Sequence, residues 1–108
     1  MIIGIVFMLD LDGIKLKVEK EQYYYSKHGD QERQNDNLTI LEVEEAIING
    51  RILERYPDTG RGESCLVVGF TEKGKPVHVV CGVRGVILVI ITIYIPTPPK
   101  FINPYERG

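Results

Sequence analysis

The sequence has 108 residues, room for one domain around one modest core. With 44% hydrophobic and 26% charged residues it reads as a soluble globular chain, which excludes disordered, collagenous and membrane-spanning classes. Thirteen lysines and arginines against fifteen aspartates and glutamates give a formal net charge of −2, which disfavours a uniformly basic nucleic-acid binder. The charge is unevenly spread: residues 1–63 carry a net −5 and residues 64–108 a net +3. The two cysteines, Cys65 and Cys81, are too few for a disulfide scaffold, and no CxxC or Cys/His cluster suggests zinc. No metal and no cofactor is expected, and a reduced, cytoplasmic protein is the simplest expectation. The apolar run over residues 86–95 is too short to span a bilayer. Residues 2–9 lack the basic flank and cleavage site of a signal peptide, and Met8 is an alternative start.

The first eighteen residues are predicted to form a β-hairpin. Residues 2–9 supply one apolar strand, Asp10-Leu11-Asp12-Gly13 a turn, and the alternation of Ile14, Leu16 and Val18 with Lys15, Lys17 and Glu19 a second strand. Ser26 then suits the N-cap of a short helix running to about Asn35. The next helix is the best signed. Thr39 and Glu42 form a capping box, Leu38 can staple onto Val43, and Leu41, Ile47 and Ile48, with Val43 and Ala46, give an apolar stripe. Gly50 stands at the C′ position that closes it.

Strands are predicted over residues 52–56, 64–70 and 77–83, with a loop over 57–62. Lys73-Gly74 as a hairpin turn would face Gly69 with His78 and Leu66 with Cys81, so that the two thiols point to opposite sheet faces. Val83-Arg84-Gly85 as a three-residue loop would set His78 opposite Ile90, on the face of Thr92 and Tyr94. Four prolines between 96 and 104 end the sheet and leave residues 96–108 as an extended tail. The expectation is thus a single α+β domain over 1–108: a hairpin (1–19), a core (20–95) with an antiparallel sheet of about four strands and two helices on one face, and a Pro-rich tail.

The candidate chemistry rests on few residues. Metal-free RNA cleavage needs a base for the 2′-hydroxyl, an acid for the leaving oxygen and a cation for the phosphate. His28 and His78 can serve as acid and base, Arg33 can clamp the phosphate, and Tyr94 and Thr92 can support it. A histidine within an apolar strand is more often a satisfied structural group, and His78 fits that reading too.

Ser26-Lys27-His28 followed by Arg33, then Leu66-Val67-Val68-Gly69, Gly74-Lys75-Pro76-Val77-His78-Val79-Val80 and Ile91-Thr92-Ile93-Tyr94-Ile95-Pro96, resembles a small prokaryotic family, domain of unknown function 4258. That family looks related to BrnT-like toxins of the RelE-like class. The resemblance implies a RelE/BrnT-like fold and a toxin-like, metal-independent endoribonuclease of a toxin–antitoxin pair. RNA would be the substrate and a small antitoxin protein the partner. It implies His28, His78, Arg33 and Tyr94 as catalytic residues, with Thr92 and Ser26 binding substrate. The rival expectation is a non-enzymatic interaction module, binding a partner or a second copy through an apolar edge strand.

Overall fold

The computed structural model describes residues 9–108. The strand predicted over 2–9 therefore lies, except for Leu9, outside the described residues. The strand predicted at 14–18 is instead a helix, α1 (Leu11–Glu19). Asp10 is its N-cap and accepts a 2.6 Å hydrogen bond from the Gly13 amide, so the Asp-Gly pair starts a helix rather than a hairpin turn. Ile14 and Val18 lie four residues apart on one helix face and are buried, while Leu16 is half exposed. An alternation at 14, 16 and 18 contains that helical pair, which is why the pattern misleads.

Next come β1 (Tyr23–Tyr25), α2 (Lys27–Asn35) and α3 (Ile40–Ile48). Both predicted N-caps form. The Ser26 hydroxyl accepts from the Gly29 amide, and Thr39 and Glu42 make the reciprocal capping box. Val43, Ala46 and Ile47 turn inward, but Leu41, expected in the buried stripe, is 63% exposed. Gly50 does not take a left-handed conformation. Its place is fixed by contact, because a Cβ there would lie 2.6 Å from the Ala46 carbonyl oxygen.

The remaining elements are β2 (Arg51–Tyr56), β3 (Ser64–Phe70), β4 (Pro76–Arg84), β5 (Ile87–Tyr94), β6 (Phe101–Asn103) and β7 (Glu106–Arg107). The sheet has five strands in the order β1-β5-β4-β3-β2, so the expected four-stranded antiparallel sheet with two helices becomes a mixed sheet with three. The added strand is the tyrosine run: β1 pairs parallel to β5, Tyr23 opposite Leu88. Helices α1 and α3 cover one face, where Ile14, Val18, Val43, Ala46 and Ile47 share a core with Cys65, Val67, Val79, Cys81, Ile90 and Ile93. At Gly69 the helix lies so close that a Cβ would fall 1.7 Å from the Ala46 carbonyl oxygen. Only glycine permits that approach.

Helix α2 takes over the edge of β5 where the short β1 stops. Ser26 donates to the Ile91 carbonyl, and the amides of Ile93 and Ile95 donate to Glu32 and Asp36. The otherwise open strand edge is satisfied by side chains.

Two registers differ from expectation. The β3–β4 connection is a three-residue loop: Thr71 donates its amide to the Lys75 carbonyl and Gly74 has φ +83°. That slips the pairing by one, so Val68 faces His78 and Cys65 faces Cys81. The two thiols therefore share a sheet face instead of pointing apart. Between β4 and β5 the turn is two residues, Gly85 and Val86, with Arg84 opposite Ile87. A bulge then leaves Ile91 as an extra residue and restores the face, so His78 lies opposite Tyr94 rather than Ile90.

The proline-rich tail does not lie extended. β6 and β7 pair as a small hairpin, and Phe101 is 1% exposed. On the sheet face that α1 and α3 leave free, Leu66, Val68 and His78 are buried.

Candidate functional site

Strand β4 delivers His78 to the tail-covered face, where it is fully buried. Its Nε2 lies 2.7 Å from the Pro104 carbonyl oxygen and its Nδ1 3.2 Å from the Tyr94 hydroxyl. A carbonyl only accepts, so Nε2 carries the proton, Nδ1 accepts, and Tyr94 donates. The imidazole packs edge-on to Phe101 at 4.4 Å between ring centroids. Burial holds the His78 pKa below its usual value; the hydrogen bond to the Pro104 carbonyl and then Glu54 oppose that shift, and Arg107 and Lys100 add to it. Burial also raises the Tyr94 hydroxyl.

Charged residues close the rim of this cluster. Arg107 grips Glu54 through two hydrogen bonds of 2.8 and 2.7 Å, and together with the Tyr56 hydroxyl it lowers the Glu54 carboxyl to about 2. Three cations stack on rings: Arg107 on Phe101, Lys100 on Tyr94 and Arg51 on Tyr105. Thr92 lies two pairs along from Tyr94, opposite Val80, on the same face.

The other candidates sit on α2. His28 is exposed, and its Nε2 lies 3.2 Å from Glu32, one helical turn on. Arg33 points to a different set of partners. It bonds Asp30 through Nε and Nη2, donates from Nη1 to the Leu38 carbonyl, and stacks over Tyr25 at 5.7 Å. The Tyr25 hydroxyl is raised to about 12 chiefly by burial, and its ring packs edge-on to Tyr23 at 5.9 Å between centroids. Ser26 is occupied by its cap and its bond to Ile91.

The structure therefore brings His78 and Tyr94 into contact, with Thr92 beside them, and attaches His28, Arg33 and Ser26 to separate partners. Sequence reasoning missed Phe101, Glu54 and Arg107 around His78, and Glu32, which receives both His28 and the Ile93 amide. The available signal was the tail itself, whose aromatic Phe101 is a poor residue for a free, solvated end.

A family model described as a domain of unknown function (DUF4258) matches residues 25–95. The chain belongs to this family. The matched segment runs from the last residue of β1 through β5 and contains all six candidate residues. No curated protein and no solved structure matches the chain. Among the described residues, no helix is long and apolar enough to cross a membrane, and no group of three or more His, Cys, Asp or Glu could hold a metal ion.

A second surface has the features of a binding site. Helices α1 and α3 flank a depression of about 320 Å³ lined by Val18, Leu41 and Ile48 and by the glutamates at 19, 21, 44, 45 and 72. A neighbouring depression of about 310 Å³ shares Glu21 and Glu44 and adds the three tyrosines and Ile40. Among the described residues, no lysine or arginine lines either one. Leu41, Ile40 and Tyr24 are 63%, 50% and 53% exposed.

Proposed function

We propose that the chain is a protein-interaction module whose α1–α3 trough receives a basic, amphipathic segment of a partner protein. The observation that carries this is the row of exposed Leu41, Ile40 and Tyr24 along a trough whose charged lining residues are all glutamates. Large apolar side chains left in water beside a concave surface mark contact sites. Uncompensated carboxylates around them select a cationic partner and speed its encounter. Glu44 and Glu45 are fixed in place, the first by the Tyr23 hydroxyl and the second by the Glu72 amide, so part of the rim is preorganised.

The alternative expectation, a toxin-like endoribonuclease neutralised by an antitoxin, needs an acid, a base and a phosphate clamp around one substrate. Here His78 is buried with both ring nitrogens bonded, and the Arg33 guanidinium is occupied by Asp30 and the Leu38 carbonyl. These bonds fit structural roles.

The test is a titration of the ¹⁵N-labelled protein with a lysine-rich amphipathic helical peptide, followed by amide shifts. Shifts confined to α1, α3 and β1, weakened by salt and abolished by Leu41→Glu, are expected. Shifts scattered over the surface, or insensitive to Leu41→Glu, refute the reading.

A further inference from the structure

The cysteine pair stands apart from the trough and from the His78 cluster. Cys65 and Cys81 are directly opposite in the β3–β4 ladder, fully buried and unoxidised. The loop bond from the Thr71 amide to the Lys75 carbonyl makes 71/75 a hydrogen-bonded pair. Pair types alternate along an antiparallel ladder, and 65/81 is an even number of steps away. It is therefore also of the hydrogen-bonded kind, with Cα atoms about 5.5 Å apart. That Cα separation lies within the range found in disulfides, about 4.4–6.8 Å, and closing the bond draws the two Cβ atoms together from the roughly 5 Å of an opposite pair. The two thiols are neighbours across the ladder, on the same face of the sheet.

A cavity lies near the thiols at one end of the sheet. It measures about 590 Å³ and is lined by Leu9, Ile14, Lys17, Glu63 and Val83, among others. Glu63 lies two residues before Cys65, and Val83 two residues beyond Cys81 on the same sheet face and against the same core. The cavity therefore ends one pair short of the thiols, and its volume suits a small organic molecule.

We propose that Cys65 and Cys81 form a reversible dithiol–disulfide site, oxidised by low-molecular-weight disulfides that enter through the cavity beside Glu63 and Val83. Cys65 is the attacking sulfur, because the neighbouring Cys81 thiol lowers its pKa while that of Cys81 itself is raised. Its thiolate attacks one sulfur of the small disulfide, whose S–S bond breaks and releases a small thiolate. The Cys81 thiolate then attacks Cys65 Sγ in the mixed disulfide, the intramolecular S–S bond forms, and the second small thiolate leaves. The two cysteine protons end on the two released thiols. The protein loses two electrons and the small disulfide gains them.

The probe is oxidised glutathione with the full chain, read by intact mass after alkylation in denaturant. The expected result is loss of both alkylatable thiols, a mass lower by two hydrogens, and linked peptides carrying Cys65 and Cys81. The circular-dichroism spectrum stays that of the folded protein, and dithiothreitol restores both thiols. Cys81→Ser is expected to stop at a glutathione adduct on Cys65. Both wild-type thiols remaining alkylatable overturns the proposal. So does a lasting glutathione adduct on the wild type, a disulfide between two chains, or oxidation only with loss of the folded spectrum. The wild-type reading stands by itself if Cys81→Ser does not fold.

Discussion

Acidification should loosen the tail-covered face through one residue. His78 is buried and neutral, with a folded pKa held below its ordinary value, while in the unfolded chain it titrates near 6.5. The unfolded state therefore binds the proton first, and stability falls as pH drops through the unfolded value toward the folded one. If the folded ring stays neutral, one proton taken up only on unfolding costs up to about 1.4 kcal/mol between about pH 7.5 and 5.5. For a chain of this size that corresponds to a fall in Tm of roughly 6–11 °C. The charged groups facing the ring are Glu54, Arg107 and Lys100. Glu54, at about 2, stays ionised across this window, and its own contribution is lost only as pH falls below about 4.3. Urea denaturation at the two pH values measures the effect. His78→Gln should be less stable at both and should lose most of the pH dependence, whereas His28→Ala should keep it. An undiminished pH dependence in His78→Gln would refute the assignment of the proton to this ring.

Three further outcomes follow from single contacts. Gly69→Ala drives a methyl into the Ala46 carbonyl oxygen and should cost about 3 kcal/mol or abolish soluble expression, seen by denaturant titration. Thr39→Ala removes half of the capping box and should cost about 1 kcal/mol in the same assay. Arg107→Gln releases Glu54 and the face of Phe101, so trypsin should cut after Lys100 faster than in wild type while the core stays intact. Unchanged cleavage would show that the tail hairpin is held without that pair.

Elements announced by local chemistry were legible in the sequence. Ser26, Thr39 and Glu42 cap their own helices, and a cap needs only neighbours three residues away. Strands β2 to β5 were marked by apolar runs and turn residues. Register was not legible, because it depends on whether Thr71 or Glu72 closes a loop and on whether β5 carries an extra residue at Ile91. One residue in each place decided that Cys65 meets Cys81 and that His78 meets Tyr94. Helix α1 was misread because Ile14, Leu16 and Val18 satisfy both periods, and only the sheet beneath selects the helical one. At the candidate site, the sequence placed His78 on one face with Thr92 and Tyr94, but opposite Ile90 instead of Tyr94. It could not show that Phe101, Pro104 and Arg107, over twenty residues beyond His78, fold back onto this face.

The most direct test of the central claim, a binding module rather than a ribonuclease, is induced expression in a bacterial host with growth and RNA integrity followed together. Wild type and a His28→Ala/His78→Ala double variant are compared, with soluble protein confirmed for both. The account predicts continued growth and intact RNA in each. Growth arrest with cleaved RNA in wild type, absent in a folded double variant, would contradict it and return the histidines to catalysis.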